Sequence, residues 1–446
     1  MSFNLVFDPW VPVVGPDGGE TLSLAGLARR VDEPIRLVDG ETDVEPLTAA
    51  ASMRLLLACY AASQTARQTM AVWLDAHQDW FDLFGDHPFA QCALISSRFE
   101  DVALPAVALP MFTATNGPVL LDHQHNHVDV RWTPAQAARL MLVRSMVGTA
   151  QRQPFKGDVF GPQATFGKNT PCLTRPFLWV EGPTLADSLA QSAVPGLGQG
   201  TFHPTWPDKW TPGTVHEPRG PLDVLTWPGR AILLRQDVDG MVDQVAFAAG
   251  AVWDQTDPGL QPNTLVTNDP GRGLMPVRPA GGPGWTRRLL AGWISGVHGT
   301  LADQLHHTHG AHMVLRWAGL AADKGRVDAA MDHSLPLPVV DDDTIRGWLD
   351  TTSTVWTDTL RRMRKAVGQA WPAGDQIAAI AAAQIGAGLG QRIDPLSAEV
   401  SAGQTSPAQA ERALRQTAGD VLQQLADSRF AEHLQQAEIL ERSFCS

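Results

Sequence analysis

The sequence is short of the residues and motifs that mark several large classes of protein. Its four cysteines (Cys59, Cys92, Cys172, Cys445) stand far apart and form no CxxC pair. Neither a disulfide scaffold nor a structural zinc site is indicated, and a reducing, cytoplasmic setting is expected. No apolar run approaches the roughly 20 residues of a membrane span. The opening Met1-Ser2-Phe3-Asn4 lacks the basic start and apolar stretch of a signal peptide. Positive charge is also scarce, with a formal net charge of −13. That excludes a protein that coats nucleic acid by bulk electrostatics and leaves only local contact through a few basic loops. There is no P-loop, no GxSxG, no HExxH and no dinucleotide fingerprint in a strand-to-helix setting. The expectation is a protein that is not an enzyme and holds no cofactor or metal.

What is present is an ordinary globular chain. Its 446 residues, 44% of them hydrophobic, suffice for two or three domains around a substantial core. Phe3 to Val14 carries apolar residues at strand-like spacing, breaks at Gly15-Pro16-Asp17-Gly18-Gly19 and resumes at Leu22 and Leu24, predicting a hairpin-like turn. From Pro46 to Phe84 the spacing is helical, with Leu55, Leu56, Cys59 and Tyr60 in one stripe and Val72, Leu74, Trp80 and Phe84 in a second region. Thr133-Pro134-Ala135-Gln136 is a capping box that opens a helix ending near Gly148. Gln151 to Pro176 then reads as a long loop without structure of its own.

Leu222 to Val277 reads as strands and turns, including an apolar run at Ala231–Leu234 and a turn at Asp239-Gly240. Beyond a hinge at Ala280–Gly284, helical spacing is expected to persist to the end. Ile345, Trp348, Leu349, Thr352, Trp356, Leu360 and Met363 share one helix face, and Ser406-Pro407-Ala408-Gln409 repeats the capping box before a last helix. The prediction is an α+β chain with a mixed α/β domain over 1–284 and a helical bundle over 285–446.

Four clusters invite a chemical reading. His123, His125 and His127 alternate as on a strand, and His306, His307, His309 and His312 crowd a short stretch. Imidazoles ligate zinc, yet neither group has an obvious second shell, so both are read as His-rich polar segments. Asp341-Asp342-Asp343 precedes a helix expected near Thr344, where acidic residues cap free amides. Arg361, Arg362, Arg364 and Lys365 cluster on a bundle helix; they are either a solvated helix end placed well for the dipole or a contact surface for nucleic acid. Arg152, Lys156, Lys168 and Arg175 lie among glycines in the long loop. A backbone without side chains can approach phosphates closely there, or the loop is merely mobile.

Several segments, taken in order, resemble one family. Phe3-Asn4-Leu5-Val6-Phe7-Asp8-Pro9-Trp10-Val11-Pro12-Val13 is similar to the opening of the CasA family, the large subunit of the type I-E CRISPR surveillance complex called Cascade. Phe81-Asp82-Leu83-Phe84 with His87-Pro88-Phe89-Ala90-Gln91, and Gly220-Pro221-Leu222-Asp223-Val224-Leu225-Thr226-Trp227 with Arg230, resemble two further family segments. The resemblance covers nearly the whole chain. It implies a large mixed N-terminal domain followed by a C-terminal four-helix bundle. It also implies a non-catalytic subunit that reads the protospacer-adjacent motif in duplex DNA, starts strand separation and supports the displaced strand of the R-loop.

Partners follow from the same resemblance: the 5′ handle of a guide RNA, double-stranded target DNA, the other Cascade subunits and a helicase–nuclease, with no membrane. The handle contact would fall at Phe112, Thr113, Ala114, Thr115 and Asn116, where Phe112 either stacks on a base or is buried. Motif reading would fall at Lys156, Gly157, Gly161, Gly167 and Lys168, in a loop poorer in glycine than the family's. No lysine lies between Lys209 and Lys324, so Asn268 or Arg272 would replace the family's groove-reading lysine. The wedge that parts the first base pair would be Lys324-Gly325, in a turn between two helices. Arg361, Arg362, Arg364 and Lys365 would contact the displaced strand or the DNA backbone. Two alternatives stay open: a variant complex that recruits other machinery, such as a transposition apparatus, and a metallohydrolase using His306, His309 and His312.

Overall fold

The computed structural model describes residues 2–40, 45–97, 99, 104–109, 130–149, 151–152, 160, 166–167, 170, 172–173, 175–253, 261–269, 271, 273–276, 290, 300–306, 313–323, 326–337, 342–370, 389 and 391–427. Strands β1 (Val11–Gly15) and β2 (Gly18–Leu22) form the expected hairpin, closed by the pair Gly15↔Gly18. Gly18 sits at φ 116, a conformation only glycine takes without strain. The strand begins later than the apolar spacing suggested, because the chain turns between Asn4 and Asp8. The Asn4 amide donates to Asp8 Oδ2 at 2.7 Å, and the Asp8 amide donates back to the Asn4 carbonyl at 2.8 Å. Leu24 does not continue β2: Ser23 Oγ accepts from the Gly26 amide and starts helix α1 (Leu24–Arg29). β3 (Arg36–Leu37) pairs with the other edge of β1.

Helix α2 (Thr48–Thr65) is buried almost throughout. It has no side-chain cap of its own; Asp39 accepts from the amides of Leu47 and Ala49, each at 3.0 Å. Helix α3 (Met70–Ala76) buries Trp73 and Leu74, but Val72 and Trp80 are 55% and 37% exposed, so this region faces the core less than its spacing predicted. Beyond strand β4 (Leu104–Pro105), α4 (Pro134–Val147) opens with the predicted Thr133–Gln136 capping box and packs on α2.

Residues 151–176 are not wholly irregular, since β5 (Gln151–Arg152) pairs with β6 (Phe166–Gly167). Strand β7 (Phe177–Glu181) follows, then α5 (Leu185–Ser192) and α6 (Pro221–Leu225). β8 (Arg230–Gln236) and β9 (Val242–Ala249) form the predicted hairpin, with Gly240 at φ 81 and β4 along the far edge of β9. A second hairpin joins β10 (Val266–Asp269) and β11 (Gly273–Pro276).

The expected run of helices from 285 onward is corrected by the next elements. After the short helix α7 (Leu301–His306), β12 (Val314–Asp323) and β13 (Arg326–Pro336) make a long hairpin. β12 pairs antiparallel with β7, giving the order β13-β12-β7. Mixed structure therefore runs well past residue 284, and a sheet joins the two halves of the sequence. Helix α8 (Asp342–Ala370), a helical stretch over 391–401 and α9 (Pro407–Asp427) complete the described chain. Ile345, Trp348, Thr352, Val355, Thr359 and Met363 form the buried face of α8, which packs on α9. Trp348 Nε1 donates to Ser397 Oγ at 2.9 Å. The fold is α+β, as predicted. Among the described residues no helix is long and apolar enough to cross a membrane.

Candidate nucleic-acid interface

The three segments that carry the resemblance prove to be buried joints. Trp10 Nε1 donates to the Leu5 carbonyl at 3.0 Å, and Leu5 donates its amide to the Phe81 carbonyl. Gln91 bridges two elements: its Nε2 donates to the Leu83 carbonyl at 2.7 Å and its Oε1 accepts from the Leu234 amide at 2.8 Å. Asp223, 4% exposed, accepts from the Arg219 amide at 3.0 Å and bonds His203 Nε2 at 2.9 Å. Trp227 Nε1 donates to the Ala251 carbonyl at 3.0 Å. Each satisfies a buried polar group, which costs heavily if left unpaired. These residues are thus accounted for by architecture, and the expected contact residues lie elsewhere in the sequence.

One place is the root of the segment from 150 to 169. The Gly148 carbonyl accepts from the Thr170 amide at 3.0 Å, and Thr170 Oγ1 donates to the Met146 carbonyl at 2.7 Å. Arg230 donates to the Thr149 carbonyl and, at 3.2 Å, to that of Gly229. Arg144 lies 5.4 Å from the Phe247 ring centre. Burial, with the neighbouring charge of Arg144, pushes the Arg230 pKa down to about 9, and burial brings Arg144 to about 10. Both remain cationic at neutral pH. A Cβ at Gly148 would lie 2.7 Å from the Arg144 carbonyl oxygen and 2.8 Å from Arg230 Nε, so the chain passes here only as glycine. Gly167 pairs with Gln151 in the strand pair just above this root. Lys156, Gly157, Gly161 and Lys168 lie outside the described residues.

Two hairpins frame the other expected contacts. Asn268 pairs with Leu274 in β10–β11, while Arg272 lies outside the described residues. β12 and β13 pair as far as Asp323↔Arg326. Lys324 and Gly325 also lie outside the described residues, but the elements on either side are strands. The expected setting between two helices is therefore corrected.

The basic group on α8 is open to solvent. Arg361, Arg362 and Lys365 are exposed, and Arg361 pairs with Asp358 at 2.9 Å; nothing is described of the Arg364 side chain. The helix runs on to Ala370, and its last turn holds no basic residue. The dipole effect fades within the last turn, so dipole placement does not account for this cluster. α8 packs on α9, whereas β6 packs on β9; no extensive packing joins these two groups among the described residues.

Phe112, Thr113, Ala114, Thr115 and Asn116 lie outside the described residues, as do His123, His125, His127, His307, His309 and His312; of His306 only the backbone is described. Among the described residues no group of three or more His, Cys, Asp or Glu side chains is placed to hold a metal. Two charged clusters escaped sequence reasoning. Arg139 and Glu45 form a buried ion pair at 2.7 Å across 94 positions. Arg316 bonds both Glu181 and Asp332. Neither has a local signature, because the partners are far apart in sequence.

Comparison with known proteins gives one consistent result. Residues 4–442 match the family described as CRISPR-associated protein Cse1. A CasA/Cse1 protein of Thermus thermophilus is 27% identical over 295 residues, which is 60% of this chain. The match spans about half, 54%, of that relative's length. Among solved structures, Cse1 of Thermobifida fusca superposes with a TM-score of 0.76 at 20% identity, over 99% of this chain and 96% of its own. Thermus thermophilus CasA gives 0.72 at 19% identity, over 99% of both chains. A chain of a CRISPR RNA-guided surveillance complex gives 0.74 at 19% identity, over 100% of this chain and 99% of its own. At these identities the structural likeness is one of fold.

Proposed function

The chain belongs to the CRISPR-associated Cse1 family, and from that premise we propose that it is the large subunit of a type I-E RNA-guided surveillance complex. In this role it recognises the protospacer-adjacent motif in duplex DNA, starts strand separation and supports the R-loop without catalysing a reaction. The family match from residue 4 to residue 442 carries the proposal. The charge distribution supports it: an acidic chain that meets DNA only through a few basic segments gains useful affinity once an assembly holds it against the target.

The parts divide as follows. Phe112–Asn116 contact the guide-RNA handle, and the segment around Lys156, Gly157, Gly161, Gly167 and Lys168 approaches the duplex together with Asn268 and Arg272. The fastened root at Gly148, Thr149 and Thr170 supports that assignment, since a contact loop needs a rigid base. Lys324-Gly325, which follow β12 and precede β13 in the sequence, act as the wedge. Arg361, Arg362, Arg364 and Lys365 contact the displaced strand or the backbone. Guide pairing reads the rest of the sequence, and a separate helicase–nuclease acts on the opened target.

The test is reconstitution with the guide-bound subunits, followed by binding to duplexes whose flanking bases are randomised. Gly157→Asp is expected to weaken binding and blur the motif, and Lys324→Ala to weaken binding to closed duplex more than to pre-opened duplex. Unchanged affinity and motif preference in both variants would overturn the site assignment.

A further inference from the structure

One side chain crosses all three strands of the β7–β12–β13 sheet. Arg316 stands on β12 opposite Trp179 of β7 and Ser334 of β13. Side chains alternate across a strand, so Leu315 and Trp317 share one buried face while Arg316 shares the other with Trp179, Glu181 and Asp332. Its Nη1 donates to Glu181 Oε1 at 2.6 Å, and its Nε donates to Asp332 Oδ1 at 3.0 Å. Nη2 donates to Asp332 Oδ2, completing a two-pronged contact with that carboxylate. The guanidinium carbon lies 5.1 Å from the Trp179 ring centre. Only arginine supplies a planar fork with a third donor left over. Burial works against the charge of Arg316, but the bonds to Asp332 and Glu181 outweigh it and raise its pKa.

The position of this clamp matters because of where the sheet narrows. Among the described residues, β12 pairs with β7 only from Val314 to Ala318. Beyond that, β12 and β13 continue as a pair to Asp323↔Arg326, with an irregular register at Ala321/Ala322. Two-stranded ribbons twist readily and have little stability of their own. This ribbon extends about 17 Å past the three-stranded root, at roughly 3.3 Å per residue. A root rotation of about 10° would move its end by about 3 Å, close to the 3.4 Å spacing of stacked bases. Aim at the root therefore decides which base step the far end meets.

We propose that Arg316 is a positioning residue that fixes the direction of the β12–β13 ribbon, through Glu181 on one side and Asp332 on the other, so that its far end at Asp323 and Arg326 is aimed at the first base pair of the target. The inference rests on the proposed role in duplex opening. It adds a residue that never touches DNA. Binding of the duplex and its opening should then separate when the clamp is cut.

The experiment uses the assembled complex and a duplex carrying 2-aminopurine beside the recognised motif. Arg316→Gln should open the closed duplex about tenfold more slowly, the size expected for losing a charge-assisted hydrogen bond. It should bind a duplex already mismatched at the first base pairs as tightly as the unaltered protein. Arg316→Lys, which keeps the charge and loses the fork, should lie between. In the free protein, β13 amides should exchange faster in Arg316→Gln. Wild-type opening rates or unchanged exchange in Arg316→Gln would overturn the proposal, and so would equal losses on closed and pre-opened duplex. If the unaltered complex opens no duplex, the failure belongs instead to the proposed function.

Discussion

Arg139→Met strands a carboxylate inside the protein. Glu45 is 1% exposed, and its Oε1 accepts two hydrogen bonds from Arg139, from Nε at 3.0 Å and Nη2 at 2.7 Å. Arg139 also donates from Nη1 to the Trp10 carbonyl at 2.9 Å, so α4 is tied at once to the approach to α2 and to the start of β1. Breaking a buried pair by removing one member typically costs about 3–5 kcal/mol, because the remaining charge is uncompensated. The orphaned Trp10 carbonyl adds on the order of 1 kcal/mol. The double variant Arg139→Met/Glu45→Leu leaves no stranded charge and should recover at least about 2 kcal/mol of that loss. Urea unfolding at pH 7 measures all three proteins, with equal m-values as the check that ΔG is comparable. A single variant within about 1 kcal/mol of the parent, or a double variant no more stable than Arg139→Met, would refute the reasoning.

Three further outcomes follow. Replacing Arg361, Arg362 and Lys365 with glutamate should lower the salt dependence of duplex binding by the assembled complex by up to about three units of slope; its thermal unfolding should not move, because these side chains are exposed. Burial pushes the Cys92 thiol up to about 12 and raises Cys59 and Cys172 as well. Iodoacetamide at pH 8 should therefore leave all three unmodified in the folded protein and label them in urea, as peptide mass spectrometry would show. The hydrogen bond from Arg131 holds the Asp237 pKa below its ordinary value. A lowered folded-state pKa gives stability that is present above the unfolded value of about 4 and fades as pH falls through the folded one. Arg131→Gln should therefore lose stability by a constant amount from pH 8 to 6, and the difference from the parent should shrink below about pH 4; a difference that grows on acidification would contradict this.

Local signals in the sequence were read well where the structure is local. Gly15 to Gly18 turns as expected, Thr133 and Gln136 cap α4 reciprocally, and the stripe from Ile345 to Met363 is the buried face of α8. The hairpin over 314–336 was expected to be helical, since its Ala-rich stretch favours helix; pairing with β7, far away in sequence, overrides that propensity. Val72 and Trp80 follow helical spacing yet face solvent, because α3 ends at Ala76 and Trp80 lies in a separate turn over Gln78–Phe81, so the two share no continuous helix face. Gln91, Asp223 and Trp227 were legible as parts of a resemblance, but their work as joints between distant backbone groups shows only in three dimensions. Of the expected contact residues, composition showed only that they must be few and local. Their assignment came from the resemblance, and Arg316 had no sequence signal at all.

In the proposed role this chain brings motif reading to a guide-bound assembly. The most direct measurement is the affinity of that assembly for target duplexes with and without the flanking motif, made with the chain present and with it left out. Tight, motif-dependent binding is expected only when the chain is present, and weak, motif-blind binding by the chain alone. Equal motif preference with and without the chain would contradict it.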